Sequence, residues 1–545
     1  MFAKSKWGLL IILIITIIAY SPILQADFIY YDDPEYVINN PYIKKFTLEN
    51  VIDIFKAKAT ILYVPLTICS YYIDQFLFSG RATGFHLTNL IIHLLNIILI
   101  FKLLDLLKVR NELIFLILIF FGLNPLNTES VCWITERKDV LYMFFFLFSA
   151  IYYIKYLQNK FFKFYFVSFV FFIFSCLAKP MAITLPVILL IYTYFSERKI
   201  KMATIIKLVP FFLISFITSV ISYFCIKNNS TGKLNISDYS FFQKGYLFIS
   251  EVGYYFSKTF VPIKLSLFHF FPKATDLFTT GPLILFFFIG MSVLTSLYLL
   301  RKKKLVLSLI LIWLILLLPI LQIVPNTHSY VSDRYFYLSC VFPPLILFSI
   351  FEKAMSIKTL QNISIALLLC FSYLTFSHVK NWKNSETMFK YELNLNPNNG
   401  MANNNIGYYY NSLAKFKIAN QFLKKAVASD SSNAYYLNNY AWSLAGSGKT
   451  DSSIIYFNKA IFRKKNYMEA HNNLGICYYT IGKSQEALRE FKMAEKINNS
   501  HPEVLYNIGA YYLKENNNEI AKDYLIKAKT RGHNGAANLI RKYNL

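Results

Sequence analysis

Before residue 380 one apolar run follows another, and no other feature restricts this chain's fold so tightly. Backbone in hydrocarbon must satisfy its hydrogen bonds internally, which leaves the helix or the closed barrel. Runs of roughly 20 residues without strand-like alternation select the helix. The expected spans are Trp7–Leu24, Gly84–Leu107, Asn111–Phe121, Val140–Tyr156, Phe161–Leu177, Met181–Phe195, Ala203–Ile226, Gly281–Leu300, Leu305–Val324, Phe336–Phe351 and Thr359–His378. The expectation is an all-α polytopic bundle of about 11 transmembrane helices. Hydrophobic residues make up 55% of the chain, above the roughly 45–50% of soluble domains. The first run follows Lys4 and Lys6 as a signal peptide would, but its length and poor cleavage site favour a retained helix.

A net charge of +26 would suggest nucleic acid in a soluble protein. Here the cations sit in short loops, where they set topology and attract anionic headgroups. With a cytoplasmic N-terminus, Lys102/Lys108/Arg110, Lys155/Lys160/Lys163, Arg198/Lys199/Lys201, Arg301 to Lys304 and Lys353/Lys358 all fall on the cytoplasmic side. That count requires Phe242 to Phe271 to lie on the membrane as an interfacial amphipathic segment. Seven cysteines, at 69, 132, 176, 225, 340, 370 and 477, form neither a CxxC pair nor a ligand cluster. Neither a disulfide framework nor a zinc site follows from them.

The opposite face collects the unusual loops. Asp27 to Pro34, with Asp32, Asp33 and then Glu35, crowds carboxylates where the first helix leaves the membrane. Adjacent carboxylates at such a surface repel, so one can hold a raised pKa and act as a base, although Asp-Asp-Pro is also ordinary turn chemistry. The same face carries the loop from Asn124 to Ser130 running on to Glu136-Arg137-Lys138-Asp139, then Lys179-Pro180 and Asn326 to Tyr335. A single charge at a membrane end is commonly an ion pair or a snorkelling anchor. Four such loops on one face favour a functional site. His86 and His93 share a face of their helix, with Asn89 and Asn96 beside it. Interhelical hydrogen bonds account for His93 and the asparagines, while His86, near the outer end, is a candidate site residue.

From Met401 the chain repeats every 34 residues. Gly407, Ala441, Gly475 and Gly509 keep that spacing, as do Ala419, Ser453, Ala487 and Ala521. So do Leu423, Phe457, Phe491 and Leu525, and Ala426, Ala460, Ala494 and Ala528. Small residues that admit close helix packing, with one large residue filling the gap, form the tetratricopeptide pattern. Trp382, Glu386, Phe389 and Pro397 fit a half-repeat in the same phase. The division expected is 1–380 for the membrane domain, 381–400 for a helical linker or half-repeat, and 401–545 for a solenoid of four repeats. Such an array builds a concave surface for peptide or protein. Its Tyr- and Asn-rich helices (Tyr408, Tyr409, Tyr410, Asn438, Asn439, Tyr440, Tyr478, Tyr479, Tyr511, Tyr512) suit hydrogen bonding and stacking as well as core packing.

The sequence resembles the transmembrane and tetratricopeptide-repeat O-mannosyltransferases and their bacterial relatives, glycosyltransferases of the GT-C fold. The matching pieces are YYDDPEYVINNPYIK, YVPLTICSYYIDQFLFSGRATGFHLTNLIIHLLN, NPLNTESVCWITERKDVLYMFFFLFSAIYYIKY, LAKPMAITLPVILLIY, SDRYFYL and the repeats, in that order. The resemblance implies a polyprenyl-phosphate-linked sugar, mannose among the candidates, and a protein Ser/Thr acceptor on the extracytoplasmic face. It implies that Asp33 or Asp32 is the general base, with Asp33 favoured. Arg334, Lys179, Arg137 and Lys138 would then bind the donor phosphate, and Glu129 and Asp333 would orient the acceptor. A divalent metal stays open, since no ligand set stands out. Four and a half repeats and an Asn/Lys/Ile-rich composition imply a bacterial inner membrane and undecaprenyl phosphate, with the repeats periplasmic. The alternative function is a non-enzymatic membrane-anchored scaffold for envelope assembly.

Overall fold

The computed structural model describes residues 6–44, 47–56, 62–197, 200–229, 239–271, 303–321, 329–351 and 355–545. Two compact units divide at Asn384 and Ser385. The first contains α1 (Lys6–Tyr20), α2 (Leu48–Phe55), α3 (Pro65–Phe78), α4 (Ala82–Leu106), α5 (Asn111–Gly122), α6 (Thr128–Cys132) and α7 (Arg137–Asn159). It continues with α8 (Phe162–Ala178), α9 (Leu185–Glu197), α10 (Met202–Asn229), α11 (Phe241–Phe260), α12 (Lys304–Leu317), α13 (Phe342–Phe351) and α14 (Ile357–Val379). No strand occurs among the described residues, as the sequence led us to expect.

Six described helical stretches are long and apolar enough to cross a membrane, and seven if α5 and α6, bent by 47° at Leu123–Asn124, count as one span. Three shorter apolar helices fall on the expected spans at Phe161, Leu305 and Phe336. The expected span Gly281–Leu300 lies outside the described residues, as do Lys4, Arg198, Lys199, Arg301, Lys302, Asn326, Thr327, His328 and Lys353. Helix α3 was not anticipated. α5 is buried on every side from Leu113 to Gly122, the mark of a central helix, and Arg110 and Glu112 pair across its start at 3.7 Å. Polar side chains lock its neighbours: the His93 ring contacts Tyr337 Oη at 2.6 Å and Gly122 O at 3.2 Å, and Asn96 donates to Val140 O at 2.9 Å.

The first loop is held rather than free. Asp27 N–H donates to Lys383 O at 2.8 Å, and Pro34 opens a short π-turn to Ile38, a position where its missing N–H costs nothing. Tyr36, Val37 and Ile43 then bury with Ile68, Tyr71, Phe85 and Ile134 in one apolar cluster. Sinking Tyr36 and Val37 beside Ile134 brings the two aspartates to the residues that start α7.

The second unit opens with α15 (Ser385–Leu395), followed by α16 (Gly400–Ser412), α17 (Phe416–Ser429), α18 (Ala434–Gly446), α19 (Thr450–Arg463), α20 (Met468–Thr480) and α21 (Ser484–Ile497). It ends with α22 (Pro502–Lys514), α23 (Asn518–Thr530) and the single helix α24 (Asn534–Lys542). Helices pair as α16/α17, α18/α19, α20/α21 and α22/α23. A Cβ on Gly407 would overlap Leu423 Cγ, and one on Gly475 would meet the Phe491 ring at 2.6 Å. The small-against-large reading of the repeat is therefore literal packing. In the second repeat, where Ala441 and Ser453 replace the smaller pair, Ser453 Oγ donates to Ala441 O at 2.7 Å. α15 continues the phase backward, because Ser385, Phe389 and Glu392 lie 34 residues before Ala419, Leu423 and Ala426 and are likewise buried. Trp382, read as part of that half-repeat, instead packs in the first unit, 6.1 Å from the ring of Trp133.

Candidate active site

Four segments meet beside the first loop: α6, the 3-10 turn Ile134–Glu136 running into α7, the end of α8, and the 3-10 turn Asp333–Phe336. α7 begins Arg137-Lys138-Asp139. Cations at a helix N-terminus oppose its dipole, so Lys138 requires nearby carboxylates. Glu136 supplies the centre of the arrangement. Its Oε1 lies 3.1 Å from Lys138 Nζ and 3.3 Å from Arg334 Nε, and its Oε2 lies 3.9 Å from Lys179 Nζ. Arg334 Nη1 also reaches Glu129 Oε1 at 2.5 Å. Lys179 pairs with Asp139, whose other oxygen accepts from Ser130 Oγ at 3.3 Å. Three cations thus converge on one carboxylate, with two further carboxylates outside them. Glu136 and Asp139 were not singled out from the sequence.

Aromatic faces complete the walls. Lys138 Nζ sits 5.1 Å from the Tyr36 ring centroid, and Lys179 Nζ sits 5.3 Å from that of Tyr335. The Arg334 guanidinium lies 5.3 Å from Trp133 and 5.0 Å from Tyr335. Tyr31 stacks on Trp133 at 5.5 Å. Such contacts favour a desolvated cation by about 2 kcal/mol and fix where it points.

The two aspartates differ sharply. Asp33 is fully buried, and both its oxygens are occupied: Oδ2 accepts from Ile29 N–H at 2.8 Å, while Oδ1 accepts from Thr135 N–H at 3.1 Å and from the Thr135 hydroxyl. Burial pushes its carboxyl up to about 7, against the pull of the Thr135 hydroxyl and the Ile29 amide. Asp32 is half-buried, and its side chain makes no hydrogen bond or ion pair among the described residues. Burial raises its pKa first, Lys138 and Arg334 lower it, and Glu136 raises it. Asp33 thus anchors the loop through three accepted hydrogen bonds, while Asp32 presents the unengaged carboxylate.

Other candidates separate from the cluster. Arg137, expected at the donor phosphate, points into the bundle instead. Its Nε donates to Asn89 Oδ1 at 2.7 Å, Nη1 to Ser70 O at 3.2 Å and Nη2 to Phe85 O at 2.9 Å. It also pairs with Asp74 and lies over Tyr71 at 4.7 Å. Asp333 accepts from the Tyr254 hydroxyl at 2.7 Å and so ties its turn to α11. His86 is buried against the backbone of Asp27 and Cys132, with neither ring nitrogen in a hydrogen bond and no ion pair to the cluster. Among the described residues no group of three or more His, Cys, Asp or Glu is arranged to hold a metal ion.

A tetratricopeptide-repeat family model matches residues 502–531. A protein O-mannosyl-transferase of Caenorhabditis elegans, F38B6.6, is 24% identical over 424 residues, which is 73% of this chain and 59% of that protein. The mouse protein O-mannosyl-transferase TMTC1 is 27% identical over 149 residues, 25% of this chain and 15% of that one. This chain therefore spans about three-fifths of the length of the worm relative. Among solved structures, the thermophilic TPR protein TTC0263 of Thermus thermophilus covers 34% of this chain and 95% of its own at 16% identity and a TM-score of 0.26. YrrB, a TPR protein with an unusual peptide-binding site, covers 32% and 89% at 22% identity and 0.25. The expected resemblance holds: this chain is similar to transmembrane and tetratricopeptide-repeat O-mannosyltransferases over most of its length.

Proposed function

We propose that the protein is an integral-membrane glycosyltransferase that moves a sugar, mannose by analogy with its relatives, from a polyprenyl-phosphate carrier to protein Ser or Thr hydroxyls. The observation that carries this reading is the unengaged Asp32 carboxylate at the edge of a cluster in which Lys138, Lys179 and Arg334 converge on Glu136. Asp32 takes the acceptor hydroxyl's proton as that oxygen attacks the anomeric carbon. The bond from that carbon to the phosphate oxygen breaks, and its electron pair leaves with the lipid phosphate. Arg334, with its side chain 16% exposed against 5–6% for the two lysines, meets that phosphate first, and Lys138 and Lys179 stabilise the growing charge. On this reading the site faces the extracytoplasmic side, as the loop charges argue, and the repeats hold the acceptor.

The test is Asp32→Asn in proteoliposomes given radiolabelled polyprenyl-phosphate mannose and a Ser/Thr-rich peptide. Transfer should fall by about two orders of magnitude or more, with the melting temperature unchanged. Undiminished transfer would remove Asp32 from the chemistry.

A further inference from the structure

The solenoid carries a charge pattern that neither its helix packing nor the proposed chemistry explains. Successive first helices pack on one another, α16 on α18, α18 on α20 and α20 on α22, which leaves α17, α19 and α21 on the outer side of the array. In α17 the residues at 419, 423 and 426 are buried, so positions 421, 424, 425, 428 and 429 form the outward stripe past the first turn. Their equivalents 34 and 68 residues on lie in α19 and α21. These positions hold Lys424, Lys425, Lys459, Arg463, Arg489 and Lys496, together with Lys492, and no acid. Lys492 pairs with Glu495 at 2.9 Å, whereas the others make no ion pair among the described residues. Asp451 and Glu486 sit in the first turns of α19 and α21, where the helix dipole favours a carboxylate. In α23 the stripe ends, because Asp523 takes its first position and pairs with Lys527 at 2.6 Å.

Large apolar side chains stand between these cations. Phe462 is 77% exposed, Ile455 55% and Met493 40%. Ile455 and Phe462 lie two turns apart on the stripe of α19, with Lys459 and Arg463 beside them. Lys459 Nζ is 5.0 Å from the Tyr456 ring centroid, and the Arg463 guanidinium is 5.9 Å from that of Phe462, so cationic heads and rings share one surface. A face that only kept the protein soluble would have no use for an exposed Phe462. Nucleic acid would stack a base on that ring but offers little to Ile455 and Met493. A lipid interface takes both kinds of group, apolar side chains at the acyl boundary and cations at the headgroups.

We propose that the outer face of α17, α19 and α21 docks on an anionic lipid surface. Phe462 and Ile455 enter the headgroup boundary, and the unpaired cations meet lipid phosphates while their carbon stems lie along the apolar side chains. The attraction fades within about a Debye length, roughly 8 Å at physiological salt, so the face must lie close to the headgroups and its docking must weaken in salt. A bilayer is near by chain length alone, since the candidate span through α14 runs to Lys383 and α15 begins at Ser385. The stripe belongs to the second helices, so docking leaves the first helices open to an acceptor. It needs neither sugar donor nor transfer.

Full-length Asn458→Cys, labelled on the stripe with the environment-sensitive dye NBD, is held in nanodiscs of phosphatidylcholine alone or mixed with phosphatidylglycerol. Parent protein labelled in the same way gives the background from the native cysteines. NBD emission should brighten and shift to the blue only in the phosphatidylglycerol discs, and return to the phosphatidylcholine level in about 1 M salt, where the Debye length is about 3 Å. Each cation near an anionic surface is worth about fivefold in binding, so Lys459→Gln with Arg463→Gln should lower the docked-to-free ratio at least about tenfold. Phe462→Ser should diminish the blue shift. These side chains are exposed, so the variants should melt as the parent does; Lys424→Gln with Lys425→Gln repeats the charge test from α17 if an α19 variant unfolds. Equal emission in the two discs, or undiminished docking in the folded charge variants or in Phe462→Ser, would overturn the proposal. So would a larger blue shift from single-stranded DNA or polyglutamate added to phosphatidylcholine discs. A lipid-dependent shift in protein that transfers no sugar would leave the docking face standing and count against the catalytic reading alone.

Discussion

Replacing Arg137 by Met separates a residue that builds the site from one that serves in it. The guanidinium holds Asn89, Ser70 and Phe85 by hydrogen bonds, stacks on Tyr71 and pairs with Asp74. Asp74 is 2% exposed and, among the described residues, otherwise accepts only from the Thr88 hydroxyl at 2.8 Å. Arg137→Met therefore leaves a buried carboxylate without its cation, a change that costs about 3–5 kcal/mol, with the orphaned acceptors already inside that figure. Melting in detergent, followed by tryptophan fluorescence, should drop by roughly 5 °C. Adding Asp74→Leu removes the stranded charge, and the double variant should recover at least about half of the loss, since a buried pair replaced by apolar groups is often neutral. An Arg137→Met protein that melts like the parent and binds polyprenyl-phosphate mannose more weakly would refute this reasoning and return Arg137 to the donor phosphate.

Asp33 makes stability depend on pH with a definite sign. Its folded pKa, pushed by burial to about 7, lies above its ordinary value of 3.8, so the folded state binds the proton more tightly. Its contribution is fully present below about pH 4 and is lost as the pH rises through about 7; Asp33→Asn should flatten the melting temperature across that window. In the solenoid, Gly407→Ala should cost about 1–3 kcal/mol, more than Gly509→Ala, because the added methyl runs deeper into Leu423 in the first than into Leu525, 2.8 Å away, in the second; denaturant midpoints give the order. Tyr254→Phe removes the hydroxyl that fixes Asp333, next to Arg334, and should lower kcat about tenfold with the melting temperature within about 2 °C.

The repeats were legible because a solenoid is nearly one-dimensional: each glycine faces a large residue 16 positions on, as Gly407 faces Leu423. The apolar spans were legible for a similar reason, since lipid imposes length and composition. Helix α3 was not, because its 14 residues include Tyr71, Tyr72, Asp74 and Gln75 and present no continuous apolar run. The site was half legible. The run Glu136-Arg137-Lys138-Asp139 announced charge, but its division depends on where α7 starts. Neighbouring helical residues point about 100° apart, so Arg137 turns to α3 and α4 while Lys138 turns to Tyr36. Asp32 and Asp33 sit in the turn that leads into the short π-turn at Pro34, too brief a stretch to show a period. Which of them is engaged is decided by Ile29 and Thr135, and the latter lies 102 residues away.

The charge balance of the cluster bears on how the proposed reaction would proceed. Lys138, Lys179 and Arg334 are matched by Glu129, Glu136 and Asp139, so the cations hold no surplus with which to draw in a phosphate strongly. Affinity for the donor must then come mainly from its lipid and sugar. The chemistry asks for something else. As the acceptor proton moves to Asp32, that carboxylate loses one negative charge, and the departing lipid phosphate gains one. The total charge in the site is constant, and the reaction relocates it. Asp32 already lies in the field of Lys138 and Arg334, the cations proposed to receive the leaving group. The interactions that keep Asp32 ionised before transfer are thereby released to the phosphate during it, so the stabilisation grows in the transition state instead of being spent on the bound donor. Arg334→Lys keeps the charge but loses the planar fork that spans Glu129 and Glu136. It should accordingly lower kcat by at least about tenfold while leaving the donor KM within about threefold. A variant that raised KM alone would show that the cluster binds the ground state, and the relocation argument would fail.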